Sequence, residues 1–284
     1  MKVFPFQIPK SPAENLIVQI DQETGFYGKL HQHEEIQISY IVQGRGKLVV
    51  ADSVHSYGIG DFFVIGSNMP HVFQSVEKEE SHMVSLFFSK RSFGEDFFNL
   101  PDLVEIKSFF DHSDVGFRLT ERDPEIEKLM LGFPSLDKFS RFLKFLELLR
   151  TLCHAERQSL AGFIYQKKIT NDDGERLRAI FEYTMKNFHK EITLKKIAKL
   201  AFMTPNAFCR FFKQRTNKTF FEFLIEVRIA HACQLLIEDS DLTVATIAEA
   251  SGFSSLSNFN RKFKKLKTVT PSQFVKKNRE LKQV

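Results

Sequence analysis

With 284 residues, 43% of them hydrophobic and 26% charged, the chain has the composition of a globular protein long enough for two domains. No apolar run approaches the length of a bilayer span, and Pro5, Gln7 and Pro9 interrupt the start, so we expect neither a membrane segment nor a secretory signal but a cytoplasmic protein. The net charge of +5 is unevenly divided: residues 171–284 carry 21 Lys+Arg against 12 Asp+Glu, and the rest 19 against 23. A basic half on an acidic half points to a polyanion partner for the former, although a solvated lysine-rich surface gives the same count.

From Ile17 to Phe88 short apolar runs alternate with turn residues. Ile36, Ile38 and Tyr40 alternate with Gln37, Ser39 and Ile41, a turn follows at Gly44-Arg45-Gly46, and Gly58, Gly60, Asp61, Gly66 and Pro70 punctuate what comes next. This spacing predicts an all-β barrel or sandwich, taken as residues 1–122. Leu136, Phe139, Leu143, Leu146, Leu149 and Leu152 then recur at helical spacing, predicting an amphipathic helix in a connector or dimerisation region over 123–170, with a second helix through Leu160 and Ile164. The polar stretch Thr170 to Gly174 reads as a linker, and 171–284 is helical by pattern. The fold class expected is therefore α+β multidomain. Cys153, Cys209 and Cys233 are too few and scattered for a disulfide framework or a zinc knuckle and read as free thiols.

Two helix-turn-helix units are expected, at 193–214 and 243–266. In the first, Thr193 caps a helix with Leu194, Ile197, Ala198 and Ala201 inward, a turn follows at Phe202-Met203, and Thr204 with Pro205 opens a helix burying Phe208, Phe211 and Phe212. In the second, Thr243 opens a helix with Val244, Ile247 and Ala248 inward, Gly252 supplies a left-handed turn, and Ser254 or Ser255 caps a helix burying Phe259, Phe263 and Leu266. A long helix through Phe220, Phe223, Leu224, Val227, Ala230, Leu235 and Leu236 joins them. One amphipathic helix pair is ordinary core packing, whereas its repetition is a specific signal.

Over roughly Arg176 to Asn278 this pattern resembles the DNA-binding domain of the AraC/XylS transcriptional regulators, most specifically in its second half. The matching stretches are Ile197-Ala198, Phe208 to Lys213, Arg228-Ile229-Ala230, Leu235-Leu236, Ile247-Ala248, Gly252-Phe253, Asn258 to Lys265 and Thr270-Pro271. The resemblance implies that the second helix of each unit enters a major groove, the two grooves lying about 34 Å apart on one face of double-stranded DNA. Asn206, Cys209 and Arg210, then Ser257, Asn260 and Arg261, would meet base edges; Lys213, Lys264 and Lys265 would meet phosphates. Asn217 and Thr268 stand where the family usually has glycine. Threonine tolerates the left-handed conformation poorly, so the second of these helices is expected to end differently.

Gly25, His31, His33, Gln37 and Gly44 keep the spacing of the first cupin motif, with Gln37 where glutamate is usual, and Gly60, Gly66, Asn68 and His71 give a thinner second motif. The stretch resembles the cupin-type effector domain that commonly precedes this DNA-binding domain. His31, His33, Gln37, Tyr40 and His71 are the candidate effector pocket, with Phe62, Val64 and Phe73 as further wall or core residues. His31, His33 and His71 could hold a divalent metal, since neutral imidazole is a good ligand for zinc, nickel or iron. An organic-ligand pocket needing no cofactor, a metal site and a vestigial pocket all remain open. Glu34 and Glu35 are adjacent but out of register.

The function expected is that of a sequence-specific DNA-binding regulator and not an enzyme, controlled by a small-molecule effector. It would dimerise through the connector and touch RNA polymerase if it activates. The alternative is a cupin metalloenzyme, a dioxygenase or isomerase, with secondary DNA binding; Gln37 does not match the two-histidine, one-carboxylate set of non-haem iron. An oligomeric partner-binding protein would rest on the Leu136 helix alone.

Overall fold

The computed structural model describes residues 14–26, 28, 30–76, 79–162, 171–238 and 242–281. The chain divides into two compact units, 1–169 and 170–284.

The first unit holds strands β1 Ile17–Glu23, β2 Ile36–Gln43, β3 Gly46–Val50, β4 Ser53–Tyr57, β5 Phe62–Ile65, β6 His71–Ser75, β7 Ser81–Phe88, β8 Phe117–Leu119 and β9 Arg157–Ser159. They form a six-stranded sheet in the order β1-β7-β2-β5-β8-β9 and a three-stranded sheet in the order β4-β3-β6. Strand residues alternate in direction, and here both directions are buried. Ile41, Leu48, Val50, Phe63, Ile65, Phe73 and Met83 share one hydrophobic cluster between the sheets. Ile36, Ile38, Tyr40, Phe62 and Val64 belong to a second, which also holds residues of three helices: α1 Lys107–Ser113, α2 Pro124–Gly132 and α3 Lys138–His154.

Asp123 and Asp137 cap α2 and α3, each accepting from the backbone N–H groups two and three residues on. The leucine stripe expected of α3 divides between two environments. Phe145, Leu148, Leu149 and Leu152 are fully buried, while Phe139 and Leu143 are 70% and 50% exposed. The helix expected through Leu160 is not there: after α3 the chain becomes β9, which pairs with β8, and Leu160 N–H donates to Gly116 O at 2.9 Å. β9 pairs the free side of β8 and so becomes the short, polar edge strand of the sheet. Ile164 lies outside the described residues.

The second unit is helical: α4 Asn171–Asn187, α5 Leu194–Leu200, α6 Pro205–Thr216, α7 Phe220–Glu238, α8 Val244–Ala250, α9 Leu256–Lys267 and α10 Pro271–Leu281. Asn171 to Gly174, expected as a linker, is the first turn of α4, where Asp172 and Asp173 suit the positive end of the helix dipole. Asp173 is further tied to Arg215 on α6 and to Arg176, 3.6 Å away; Thr170 lies outside the described residues. α7 serves two cores. Its Phe223 packs on Phe181 and Phe212, whereas Ile229, Ala232, Cys233 and Leu236 cluster with Ile247, Phe253, Phe259 and Phe263. No helix among the described residues is long and apolar enough to cross a membrane.

Candidate nucleic-acid interface and histidine centre

The two helix-turn-helix units are built alike. Thr193 and Thr243 cap α5 and α8 by accepting from Lys196 and Thr246 N–H. The turns repeat bond for bond: Ala201 and Ser251 N–H donate to Ile197 and Ile247 O, Phe202 and Gly252 to Lys199 and Glu249 O, Met203 and Phe253 to Ala198 and Ala248 O. Phe202 and Gly252 both take positive φ, 56° and 84°. The units then diverge by one residue, since α5 and α8 begin fifty residues apart and α6 and α9 fifty-one.

Thr204 caps α6 and Ser255 caps α9, accepting from Ala207 and Asn258 N–H. Phe208 and Phe212 in α6, and Phe259 and Phe263 in α9, face fully inward. Phe211 and Leu266, expected inward, are not: Phe211 is half-buried and Leu266 is 39% exposed. Both sit three positions beyond a buried phenylalanine, at the flank of a helix only one side of which is covered. The different ending expected for α9 is also corrected. Thr268 takes φ 64° and caps α9 through Lys264 O just as Asn217, φ 54°, caps α6 through Lys213 O.

Asn206, Cys209, Arg210 and Lys213 on α6 are exposed, as are Ser257, Asn260, Arg261, Lys264 and Lys265 on α9. Each helix thus presents an arginine and hydrogen-bonding side chains at matching positions. Arg261 Nη2 donates to Asn258 Oδ1 at 2.9 Å, whereas the first unit has Ala207 at that place. Glu222 on α7 relates the two helices. Its carboxyl is held below the usual range by the Thr219 backbone N–H and hydroxyl, with Lys265 and Lys213 adding to the effect. One carboxylate thus feels a lysine from each helix. Sequence reasoning missed Glu222; the signal available was Thr219 followed three residues later by glutamate, the capping-box spacing that the structure shows.

In the first unit, backbone pairing of His31 with His71 brings together two separated segments. The nearest ligand atoms of His31, His33 and His71 lie within 4.8 Å of one another, with His33 and His71 buried. Gln37 joins them: its Oε1 stands 3.2 Å from His33 Nε2 and 3.0 Å from His71 Nε2, and its Nε2 donates to Ser39 Oγ, which meets Ser85 Oγ at 2.8 Å. Glu35 does not enter the centre. Its backbone carbonyl lies 2.8 Å from His33 Nδ1 and its carboxylate 3.9 Å away.

Tyr40, expected in this pocket, is not part of it. It lies on the other face of β2, in the cluster with α2 and α3, where burial and a hydrogen bond with Glu127 push its hydroxyl up to about 12. Phe62 and Val64 also face the helices, and Phe73 faces the space between the sheets. The period of two decides this: Gln37 and Ser39 are odd positions of β2 and Tyr40 is even.

The ring nitrogens follow from donor and acceptor rules. His33 Nδ1 faces Glu35 O and His71 Nδ1 faces Met69 O, both at 2.8 Å, and a carbonyl can only accept, so both Nδ1 atoms carry the proton. Burial lowers the pKa of both rings, His71 further under the influence of His31 and His33, so they are neutral and their Nε2 atoms carry lone pairs. Two lone pairs therefore converge on Gln37. A cation among them, with Oε1 as a further ligand, satisfies the set; so does a Gln37 amide turned over to donate its two N–H groups to the rings.

The geometry agrees with comparisons to known proteins. Residues 18–87 match a model described as a cupin domain, and residues 197–277 match one described as a helix-turn-helix domain. The HTH-type transcriptional activator RhaR of Mannheimia succiniciproducens is 25% identical over 262 residues, covering 87% of this chain and 88% of that protein. The uncharacterised HTH-type transcriptional regulator YdeC of Bacillus subtilis is 21% identical over 272 residues, covering 91% of this chain and 90% of its own. Both of these relatives are named as transcriptional regulators, which leaves the metalloenzyme alternative without support. A helix-turn-helix domain behind a cupin domain, in a chain whose relatives over most of its length are transcriptional regulators, makes this protein a DNA-binding transcriptional regulator with a cupin domain.

Proposed function

We propose that this regulator reads a two-part operator with α6 and α9 while the histidine centre of the barrel acts as its input. The observation that carries the reading is the matched outward sets: Asn206, Cys209, Arg210 and Lys213 on one helix, Ser257, Asn260, Arg261, Lys264 and Lys265 on the other. Arginine pairs with two acceptors of guanine and asparagine with adenine, so Arg210, Arg261, Asn206 and Asn260 supply discrimination. The lysines supply salt-dependent affinity. The one-turn spacing of successive major grooves is the natural target of two such helices.

The donor set of the centre fits a divalent metal that accepts imidazole, such as zinc, nickel or cobalt. His31, His33 and His71 would hold it, Gln37 would be its neutral fourth ligand, and the carbonyls of Glu35 and Met69 orient the His33 and His71 rings through Nδ1–H. The ion would serve as the effector itself or as the anchor for an anionic organic one. Phe139 and Leu143, exposed on α3, form the face proposed for pairing with a second copy. The input assignment thus gives residues 14–162 sensing and pairing, and 171–281 operator reading.

Selection of bound duplexes from a random library by the full chain at physiological salt tests the main reading, with zinc, nickel or a chelator present in parallel arms. Enrichment of two short motifs about one helical turn apart is expected, with a metal-dependent change in affinity. No preference over random duplex would overturn the operator reading; indifference to all metals and chelator would overturn the metal input.

A further inference from the structure

α7 alone is a long lever between the two helix-turn-helix units, and operator reading at fixed spacing demands that they keep one relative orientation. The structure contains a second connection. α4 ends at Asn187, and the chain then turns toward α5. Arg228, on α7, reaches two carbonyls there: its Nε donates to Phe188 O at 2.8 Å and its Nη2 to Lys190 O at 2.9 Å. The same guanidinium lies 5.8 Å from the ring centre of Phe253, the residue that ends the turn of the second unit. One turn of α7 further on, His231 packs on the Phe188 ring at 4.8 Å and meets Ser251 Oγ of that turn at 3.1 Å.

Gly252 shows how closely the parts meet. A Cβ there would stand 2.6 Å from Phe188 O, 2.9 Å from Arg228 Nε and 3.0 Å from His189 Cα. The turn of the second unit therefore rests backbone to backbone on the loop that leads into α5 of the first. We propose that Arg228, with His231 and Gly252, locks the orientation of α6 relative to α9 and so sets the operator spacing that the protein accepts. Arg228 is a positioning residue: it donates its fork to two protein carbonyls and leaves base reading to Arg210 and Arg261. Lysine would keep the charge but not the planar pair of donors.

The test measures orientation directly. Nitroxide labels are placed on Cys209 and on a cysteine from Ser257→Cys, with Cys153→Ser; Cys233 is buried. The distance distribution between labels is expected to be a single narrow population in the chain with Arg228, and broadened or displaced in Arg228→Lys. Should Arg228→Lys lower the helix content seen by circular dichroism, Arg228→Gln, measured below its unfolding transition, gives the reading. In the second arm, the unlabelled Arg228→Lys chain selects duplexes from the random library. It should accept several spacings and bind the parental spacing about tenfold more weakly, as the second contact loses effective concentration. An unchanged distance distribution with unchanged spacing preference overturns the lock, even if Arg228→Lys lowers the melting temperature. The DNA arm rests on the two-part operator reading and the distance arm does not. If the parent enriches no paired motif, that reading fails, while broadening in the variants still supports the lock.

Discussion

The two helix-turn-helix units share side-chain caps, turn hydrogen bonds and inward phenylalanines, yet they contrast most at the left-handed position of the turn. Phe202 holds φ 56° with its side chain 90% exposed; Gly252 holds φ 84° with the space for its missing side chain filled by Phe188 O and Arg228. In the first unit the left-handed residue carries strain and touches little. In the second it is relaxed and enclosed. Identical local geometry thus serves a free turn in one place and a joint in the other, and the residue type records which.

The largest effect that would break this comparison is at the enclosed turn. Gly252→Ala should destabilise the DNA-binding unit by roughly 2–4 kcal/mol, from a left-handed alanine and an overpacked contact with backbone, read as a lower melting temperature. A loss no larger than a few tenths would show that the joint yields freely. Next comes the pair of arginines. Arg210→Ala and Arg261→Ala should each weaken operator binding by roughly 1–3 kcal/mol and relax base preference at one position. Arg261, held by Asn258, is expected to lose more, because its donor fork is already ordered. Equal losses in quantitative binding titrations would remove that distinction. The smallest effect is a gain: Phe202→Gly, and likewise Thr268→Gly, should each stabilise by about 1 kcal/mol through relief of a left-handed non-glycine residue. No rise in melting temperature for Phe202→Gly would mean that its ring is held by something other than its own turn.

Much of the second unit was legible in the sequence because its signals are local. Thr193, Thr204 and Thr243 announce helix starts, Phe208/Phe212 and Phe259/Phe263 keep the inward spacing, and the repeat supplies a check on each copy. What failed there was also local. The polar Asn171 to Gly174 stretch reads equally as linker or as an acidic first turn, and packing against Arg215 decided for the helix. Thr268 disfavours the left-handed cap, but an orphan carbonyl at the end of α9 gains more from it than threonine loses.

The first unit was harder to read, since its six-stranded sheet is covered on both faces. Tyr40 and Gln37 are both buried, so hydropathy does not say which of them looks between the sheets. β9 is three residues long and carries no strand signal of its own; it exists because β8 needs a partner. The histidine spacing did foreshadow a cluster, whereas the tautomers depend on carbonyls of Glu35 and Met69, which no side-chain pattern encodes. Arg228 belongs to the same class, since its partners are backbone atoms forty and thirty-eight residues away.

The Gln37, Ser39 and Ser85 contacts give the histidine centre an outlet with a direction. A hydroxyl can pass a hydrogen bond either way, so the sense of the series is fixed at its amide end. With Gln37 Oε1 turned toward a cation, the amide donates to Ser39 and Ser39 donates to Ser85. With the amide reversed to serve two neutral rings, every donor in the row changes place with its acceptor. Ser85 belongs to the neighbouring strand β7, in register with Ser39. Occupancy of the centre would then be written on an adjacent strand as a reversal of dipoles, without any atom of the backbone having to move.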